Sequence, residues 1–398
     1  HAMPDRQPIP KPDLRSMLRP IGPVGVFCAS NFPLAFSVAG GDTASALASG
    51  CPVIVKAHHA HPGSALAVGH AVIAAVKSCD LPEGTFSLLY GGGRTVGQRL
   101  VKHPALKAVG FTGSRSGGRA LFDLAAARPE PIPVYAEMSS VNPIFLLPSV
   151  LADRSEEFAA GLQGSAVMGV GQFCTNPGVV IHEKGDVGDA FKSAYAELMS
   201  QAPASAMLHS GIRDAYGEGV SARSGSSNIE VLTDASEGRG TGGCEAAASA
   251  FATDARSYLG DASLADEVFG PSTLLVACEG REEMLEIAGG LEGQLTASIF
   301  GEVEELADHQ DLVDVLETKV GRLLFNQFPT GVEVCHSMVH GGPYPATTDG
   351  RSTSVGTGAI LRFARPVCYQ GFPTERLPEE LKDENSLGIK RVVDGERG

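Results

Sequence analysis

Residues 24–28 of the chain read VGVFC, residues 53–55 read VIV, residues 86–90 read FSLLY and residues 108–111 read AVGF. Each run is short, apolar at successive positions and separated from the next run by a longer segment with helical spacing. Strands that are apolar on both faces are typical of parallel sheets covered by helices on both sides. The predicted helices are Leu34–Ala48, Ser64–Lys77, Thr95–Lys102 and Gly118–Ala127. This half of the chain therefore predicts a doubly wound α/β domain.

From about Val134 the pattern stays α/β, but the spacing of the predicted strands and helices changes. This change predicts a domain boundary near residue 138. The further predicted strands are Pro143–Leu147, Val179–His182, Leu274–Ala277 and Ser298–Phe300, and the further predicted helices are Ser155–Met168, Asp189–Ser200 and Glu282–Gly289. A Gly/Ser-rich passage at Gly217–Ser227 predicts an interruption, and we expect Gly217–Gly243 to be a loop-rich region inside the second domain.

Composition excludes several classes of protein. The chain has 398 residues, 43% apolar and 19% charged, and at ~150 residues per domain this length suggests two or three lobes. It contains no uninterrupted apolar stretch of the ~18 residues that a membrane span needs. The formal net charge of −15 opposes binding to nucleic acid and to anionic lipid. We therefore predict neither a nucleic-acid partner nor a membrane association.

The cysteines and histidines give little indication of a metal site. The two nearest of the eight cysteines, Cys28 and Cys51, stand 23 residues apart, so no CxxC pair exists. This spacing favours reduced thiols and a cytoplasmic location. His58, His59 and His61, or the pair His336 and His340, remain formal alternatives for a metal, but neither set has an obvious further ligand. We predict no bound metal.

Three residues are candidates for chemistry. Cys174 lies in GQFCTNPG, residues 171–178, and a thiol flanked by glycines at a turn can reach a substrate. Glu137 ends an apolar predicted strand, at the edge of a parallel sheet where ligands bind, and is a candidate general base. Asn31 follows the first strand of the sheet, where its amide could stabilise an oxyanion.

Two glycine clusters join a strand to a helix. Residues 91–97, GGGRTVG, have the spacing GxGxxxG and give only a weak dinucleotide-binding signal. Residues 111–118, FTGSRSGG, place Gly113, Ser114 and Gly118 around the predicted N-terminus of a helix. Backbone N–H groups at such a terminus can hold a diphosphate.

Together these elements resemble the aldehyde dehydrogenase superfamily over about residues 20–371. Five motifs occur in the family's order: SNFP at 30–33, VKA at 55–57, FTGS at 111–114, GQFCT at 171–175 and EVFGP at 267–271. The resemblance implies a Rossmann-type cofactor domain, an α/β catalytic domain and a small oligomerisation element. It also implies roles for individual residues: Cys174 as nucleophile, Glu137 as the base for deacylation, Asn31 as oxyanion donor, Lys56 and Ser114 on the dinucleotide, and Glu267 and Phe269 at the nicotinamide.

Within that family, residues 25–43, 53–58, 328–332 and 340–345 resemble the branch that oxidises α-ketoglutarate semialdehyde (2,5-dioxopentanoate) to 2-oxoglutarate. NAD-preferring relatives carry a glutamate three residues after the lysine, and here that position is His59. A carboxylate would repel a 2′-phosphate, whereas histidine tolerates it. We therefore predict NADP as the preferred cofactor, with NAD also possible.

The resemblance further implies three units: residues 1–137 as the cofactor domain, 138–353 as the catalytic domain, and 354–398 as a C-terminal segment with an oligomerisation strand near Pro366–Phe372. A homodimer or homotetramer is the expected assembly. Family members carry roughly another hundred residues before the position of Pro4, so an N-terminally incomplete cofactor domain is expected. Three alternatives stay open: another aldehyde substrate, a catalytically silent dinucleotide-binding fold, and a cysteine hydrolase that pairs Cys174 with a histidine such as His336.

Overall fold

The computed structural model describes residues 2–233 and 243–397. Up to residue 137 the elements, in chain order, are β1 (Leu14–Pro20), β2 (Val24–Phe27), α1 (Gly41–Ala48), β3 (Val53–Lys56), α2 (Pro62–Ser78), β4 (Phe86–Leu89), α3 (Gln98–Lys102), β5 (Ala108–Thr112), α4 (Arg115–Ala126) and β6 (Val134–Glu137). A π-helical turn, Gly93–Gly97, precedes α3.

Five of these strands form one parallel sheet in the order β4-β3-β2-β5-β6. All four positions of β2 are buried, because helices cover both faces of the sheet. The order reverses at β2, the first of these strands in the chain, and ligands of open parallel sheets bind beyond the carboxyl ends of the strands at such a point. The predicted doubly wound architecture is confirmed.

The rest of the chain builds a second sheet. Its elements are β7 (Ile144–Leu146), α5 (Pro148–Val167), β8 (Val179–Glu183), α6 (Asp186–Gln201), β9 (Ser205–Ala206), α7 (Ser210–Ser224), β10 (Glu230–Val231), β11 (Glu245–Ala246), β12 (Ser249–Asp254), α8 (Ala255–Gly260), β13 (Ser272–Cys278), α9 (Arg281–Gly290), β14 (Gln294–Phe300), α10 (Val303–Asp308), α11 (Gln310–Glu317), β15 (Val320–Phe325), β16 (Ala364–Gln370), β17 (Val392–Val393) and β18 (Glu396–Arg397).

Within the described residues the second sheet has the order β10-β12-β13-β8-β7-β14-β15, parallel except for the short edge strand β10. The two faces of β7 show why it is buried. Ile144 and Leu146 pack into the hydrophobic cluster under α5 and α6, whereas Phe145 and Leu147 pack into the cluster under α8, α9 and α11. Side chains that alternate between two cores with a period of two fix the register of a strand.

Two sequence-based assignments are wrong. The helix predicted over Leu34–Ala48 begins only at Gly41, because residues 34–40 form turns in which a Cβ on Gly40 would lie 2.5 Å from the carbonyl oxygen of Ala35. The interruption predicted at Gly217–Ser227 lies largely within α7, which buries Ile212 and Tyr216 and so forms despite its glycines and serines. Of the expected loop region Gly217–Gly243, residues 234–242 lie outside the described residues.

Strand β16 lies close to the position predicted for a C-terminal strand, and it pairs with β1 near the other end of the chain. The two form an antiparallel ribbon in the register Leu14–Gln370 to Pro20–Ala364. Most of the ribbon's positions are exposed or half-buried. Among the described residues, no helix combines the length and apolar character needed to cross a bilayer.

Candidate active site

Cys174 lies in a sharp turn between α5 and β8. The backbone at Gly169, Val170 and Gly171 has positive φ angles of 55°, 58° and 63°. A β-branched residue such as Val170 rarely adopts this conformation, so the turn holds backbone strain. A Cβ on Gly171 would lie 2.1 Å from the carbonyl carbon of Gly270, so only glycine fits there. The turn presents Cys174 half-buried at the surface of a cavity.

A buried asparagine holds the backbone on which Cys174 stands. The side-chain amide of Asn142 donates hydrogen bonds to the carbonyl oxygens of Cys174 and Asn176, both at 2.9 Å. The amide oxygen of Asn142 accepts from the hydroxyls of Ser140 at 2.9 Å and Thr296 at 3.0 Å. Because Asn142 has no exposed surface, these bonds form in a low-dielectric interior and fix the position of the thiol.

Asn31 reaches the same turn from the other sheet. It follows β2 by four residues, and its side-chain amide donates a hydrogen bond to the carbonyl of Gln172 at 2.9 Å. Gln172 stands two residues before Cys174, so the structure brings the amide of Asn31 and the nucleophile candidate together. A primary amide has two N–H donors, and only one is needed for this bond.

Glu137, His340 and Cys174 form a compact polar cluster. Glu137, the last residue of β6, accepts a hydrogen bond from Nε2 of His340 at 3.0 Å and another from the hydroxyl of Ser354 at 3.0 Å. The Sγ atom of Cys174 lies 3.4 Å from the same Nε2. Glu137 and His340 are 4% and 1% exposed, so the pair is removed from solvent while the thiol borders the cavity.

Contacts within the cluster shift the pKa values of Glu137 and Cys174 in opposite directions. Burial raises the pKa of the Glu137 carboxyl, but the interactions with His340, Ser354 and Cys174 outweigh burial and leave that pKa below its ordinary value. Burial, together with the negative charge of Glu137, raises the pKa of the Cys174 thiol well above its ordinary value. At neutral pH the carboxylate is therefore ionised, and the thiol carries its proton.

Sequence reasoning missed the place of His340 in this cluster. The sequence suggests His336 and His340 as a pair of metal ligands and His336 as a partner of Cys174. In the structure His336 is exposed, and its Nδ1 lies 3.1 Å from the hydroxyl of Thr357. His340 reaches the thiol because the chain folds back after it: a Cβ on Gly342 would lie 2.1 Å from the carbonyl oxygen of Gln294. The glycine pair after His340 is the signal that could have indicated this close approach.

The turn between β5 and α4 has the geometry expected for a diphosphate site. Ser114 is the N-cap of α4, and its hydroxyl accepts a hydrogen bond from the N–H of Gly117 at 3.2 Å. Gly113 is tightly enclosed, since a Cβ there would lie 2.7 Å from the Phe111 ring. At Gly118 α4 packs closely on the sheet, since a Cβ there would lie 2.6 Å from the sulfur of Met138. The first N–H groups of α4 are thus oriented toward the strand ends.

Lys56 and a group of histidines follow β3. Lys56 is 6% exposed, and burial lowers the pKa of its ammonium. The imidazole of His58 lies 4.3 Å from that of His59 and 6.0 Å from that of His209, centroid to centroid, while His61 stacks on His58 at 5.6 Å. We call His58, His59, His61 and His209 the imidazole cluster. Burial and the charges of its neighbours lower the pKa of His58 to about 3.

Glu267 and Phe269 lie on the loop that presses against the Cys174 turn. Burial raises the pKa of the Glu267 carboxyl to about 7, although hydrogen bonds from Ser139 and Ser140 act in the other direction. The charge of Glu267 in turn contributes to the raised pKa of Cys174, so the two groups lie within electrostatic reach of each other. Phe269 is half-buried and packs on a hydrophobic cluster that includes Tyr216.

A cavity of about 970 Å³ opens beside Cys174. Among the described residues its lining is almost entirely apolar, with Phe32, Phe36 and Ile360 along the wall and Ser354 near the cluster. It contains no charged side chain within that part of the chain. A thiol at the wall of such a cavity, with an amide donor and a carboxylate beside it, can perform covalent acyl chemistry on a small substrate.

Comparisons with known proteins agree with this geometry. The sequence profile of the aldehyde dehydrogenase family matches residues 4–242. The chain is 51% identical over 398 residues to alpha-ketoglutaric semialdehyde dehydrogenase 2 of Azospirillum brasilense. This alignment covers 99% of the chain and 75% of that protein. It is 45% identical over 395 residues to the alpha-ketoglutaric semialdehyde dehydrogenase of Acinetobacter baylyi, with coverages of 99% and 74%.

A solved structure shares the fold. The crystal structure of a glyceraldehyde-3-phosphate dehydrogenase of Methanocaldococcus jannaschii, complexed with NADP, superposes with a TM-score of 0.73 at 18% identity, over 90% of this chain and 74% of that one. At that identity the likeness speaks for the fold alone. The profile match and the relatives that align along nearly the whole chain decide the family: the chain belongs to the aldehyde dehydrogenases, enzymes that oxidise aldehydes with NAD or NADP.

Proposed function

We propose that this chain oxidises α-ketoglutarate semialdehyde to 2-oxoglutarate, with Cys174 as nucleophile and NADP as the preferred cofactor. The observation that carries the proposal is the cluster of Cys174, His340 and Glu137 at the wall of the cavity. The proposed substrate is that of the two relatives at 51% and 45% identity, which are alpha-ketoglutaric semialdehyde dehydrogenases.

The first step is attack of the Cys174 sulfur on the aldehyde carbon. The thiol proton passes to the carboxylate of Glu137, which His340 holds beside the sulfur, and leaves from there to solvent before hydrolysis begins. The carbonyl oxygen becomes an alkoxide, which the side-chain amide of Asn31 and the backbone N–H of Cys174 stabilise. The second N–H of the Asn31 amide, which the bond to Gln172 does not use, is the donor available to the substrate.

A nicotinamide dinucleotide supplies the acceptor for the hydride that leaves the substrate carbon. The residues proposed to hold it are Lys56, His59, Gly113, Ser114, Gly118, Glu267 and Phe269. Two observations support this fit. One is the N-terminus of α4, with Ser114 as its N-cap, and the other is the Nε2 atom of His209, which is buried without a hydrogen-bond partner in the described part of the chain. That atom carries hydrogen, because Nδ1 of His209 accepts from the N–H of Gly211.

Glu137 completes the cycle as general base. It takes a proton from the water that attacks the thioester carbonyl, and the product leaves as a carboxylate while the sulfur regains a proton. The hydrogen bond from Ser354 holds one carboxylate oxygen and leaves the other directed at Cys174 and His340. Replacing Glu137 with Gln should therefore leave a burst of reduced cofactor followed by slow turnover.

The arrangement of the chain supports three units with different roles. We propose residues 1–137, with the parallel five-stranded sheet, as the cofactor domain, and residues 138–353, with the second sheet, as the catalytic domain. Residues 354–398 carry β16, and the ribbon of β1 and β16 is the proposed contact in a homodimer or homotetramer. The eight free cysteines support a cytoplasmic location.

The test is kcat/KM for a panel of aldehydes, each measured with NADP and with NAD. We expect the highest value with α-ketoglutarate semialdehyde and NADP. A highest value with NAD would overturn the cofactor preference, and hydrolysis of esters without any nicotinamide reduction would overturn the reaction class. No turnover by a sample of verified intact mass would favour the silent fold.

A second candidate substrate is an apolar aldehyde. It is favoured by the cavity, whose described lining offers aromatic and aliphatic side chains but no cation to bind a carboxylate. An aliphatic aldehyde of six carbons in the same panel separates the two candidates. A higher kcat/KM for it than for the semialdehyde would assign the cavity to apolar substrates.

A further inference from the structure

The catalytic cluster has the composition and spacing of a metal site. Sγ of Cys174, Nε2 of His340 and a carboxylate oxygen of Glu137 all lie within 4.8 Å of one another. Thiolate, imidazole and carboxylate are the three ligand types that bind zinc in proteins. We propose that these three side chains bind one Zn²⁺ ion, and that binding holds the enzyme in a reversible inactive state.

The distances need little adjustment. Zn–S and Zn–N bonds of about 2.3 and 2.0 Å at a tetrahedral angle place the two ligand atoms roughly 3.5 Å apart. Sγ of Cys174 and Nε2 of His340 are 3.4 Å apart. Nε2 of His340 and Oε1 of Glu137, now 3.0 Å apart, would separate by a few tenths of an ångström as the ion replaces the hydrogen bond.

The surroundings hold the ligands and leave one coordination position accessible. Ser354 donates to Oε2 of Glu137, which keeps Oε1 directed at His340. The backbone N–H of His340 donates to the hydroxyl of Thr353 at 2.9 Å, and this bond fixes the loop that carries the imidazole. Partners of this kind orient metal ligands. The cavity reaches Cys174 and Ser354, so the ion and a water as fourth ligand would enter from that side.

Ligand chemistry selects the ion. A sulfur ligand disfavours Mg²⁺ and Ca²⁺, which take oxygen ligands, and favours zinc and its chemical analogue Co²⁺. Binding requires the thiolate, so the thiol of Cys174 releases its proton to solvent as the Zn–S bond forms, and nothing is oxidised or reduced. The metal-bound sulfur cannot attack an aldehyde, so zinc and substrate exclude each other.

The imidazole cluster is the competing site, and its geometry is less suitable. Within the described ranges, only Glu137, Cys174 and His340 bring three such ligand atoms within 4.8 Å of one another. In the imidazole cluster, Nε2 of His61 contacts the carbonyl oxygen of Ala29 at 2.8 Å. Nδ1 of His58 accepts from the N–H of Ala60. Metal binding by His58 would require its bond to Ala60 to break, whereas Nδ1 of His61 has no hydrogen-bond partner among the described residues.

The experiment titrates the purified full chain with Co²⁺ and then with Zn²⁺, followed by absorption spectroscopy and calorimetry. We expect one ion per chain, with the thiolate-to-cobalt charge-transfer band and the intense d–d bands of tetrahedral coordination, both displaced by Zn²⁺. His340→Gln should weaken zinc binding at least ~10-fold, and Cys174→Ser should remove the charge-transfer band. The matched control is His336→Gln, an exposed histidine four residues away, which should leave affinity and spectrum unchanged.

A second measurement needs no variant and so does not depend on how a variant folds. Zn²⁺ should protect Cys174 from iodoacetamide, read by peptide mass spectrometry, while the exposed Cys79 and Cys335 react as before. Unprotected Cys174 in the wild type, or equal zinc affinity in His340→Gln and the wild type, would overturn the proposal. The proposed substrate could still hold in that case, because these readouts do not involve aldehyde turnover.

Discussion

At the scale of single residues, Cys174 and Glu137 act on each other's protonation. The carboxylate is stabilised by three hydrogen-bond donors, while its charge opposes ionisation of the thiol beside it. The resting enzyme therefore keeps a protonated thiol next to an ionised carboxylate. Such an arrangement limits reaction of the thiol with unrelated electrophiles until a substrate binds.

Replacing Glu137 with Gln should make Cys174 more acidic. The carboxamide removes the negative charge that, after burial, contributes most to the raised pKa of the thiol. The pH profile of Cys174 alkylation by iodoacetamide, resolved by peptide mass spectrometry, should rise at a lower pH in the variant than in the wild type. Cys335, which is exposed, serves as internal control. A profile displaced to higher pH would show that Glu137 promotes ionisation of the resting thiol.

The sequence predicted most of this site at the level of single residues. Glu137 ends a strand and Asn31 follows one, so their approach to the same edge follows from the parallel topology, whereas Cys174 lies in the turn between α5 and β8. His340 could not be placed in this way. It stands 203 residues after Glu137, in a segment without helix or strand, and only the tight packing around Gly341 and Gly342 brings it to the thiol.

At the scale of elements, the sequence predicted the interior strands better than the helix ends. β3 and β5 are buried and apolar on both faces, which gives a strong pattern. The start of α1 depends instead on close backbone contacts around Gly40, and α7 depends on burial of one face against the rest of the fold. Neither of these is visible in local composition.

The end of β3 should decide the choice of cofactor. We expect His59→Glu to weaken NADP binding about tenfold, roughly 1.4 kcal/mol, because a carboxylate there would repel the 2′-phosphate. NAD binding should change less. Calorimetric Kd values for both dinucleotides test this, with His70→Glu on the exposed face of α2 as a control of equal charge change. Unchanged NADP affinity in His59→Glu would remove His59 from the cofactor site.

The turn between α5 and β8 should tolerate no side chain at Gly171. Gly171→Ala combines a positive φ of 63° with a contact of 2.1 Å to the Gly270 backbone, so we expect at least ~1 kcal/mol of destabilisation and a loss of kcat. The comparison is Gly164→Ala within α5, where a Cβ meets nothing within 4 Å and helix propensity should raise Tm. Equal Tm changes in the two variants would contradict this account of the turn.

At the scale of the whole molecule, the C-terminal segment joins parts of the chain that are distant in sequence. β16 pairs with β1, and Arg362, just before β16, reaches α1. The sequence predicted a strand here but not its partner, because antiparallel pairing of chain ends leaves no local signal. The ribbon also exposes Leu14 and Leu18, 45% and 50% accessible, on one face of β1.

That exposed face should be the contact between subunits. Leu18→Glu places a charge on the apolar face of the ribbon, so we expect a smaller assembly by light scattering after size exclusion, with the fold retained. Val303→Glu is the control, because Val303 is 67% exposed and belongs to α10 rather than to the ribbon. A wild-type monomer, or a Leu18→Glu variant of unchanged mass, would contradict the proposed contact.

A buried ion pair should hold the C-terminal segment on α1, beside the five-stranded sheet. Arg362 and Asp42 meet at 2.8 Å with side chains 3% and 11% exposed, and the same guanidinium donates to the hydroxyl of Ser45 and lies over the Phe363 ring. Removing one partner leaves an uncompensated buried charge, which typically costs roughly 3–5 kcal/mol. Arg362→Ala should therefore lower Tm by several degrees, measured by calorimetry.

The exposed pair of Arg119 and Asp123, one turn apart on α4, provides the control for that measurement. Arg119→Ala should leave Tm almost unchanged, because solvent screens an exposed pair. Since the cost at Arg362 arises from the charge left on Asp42, the double variant Arg362→Ala with Asp42→Ala should be less destabilised than the sum of the two single variants. Additive losses would mean that the two side chains do not interact across the two parts of the chain, and that other contacts hold the segment in place.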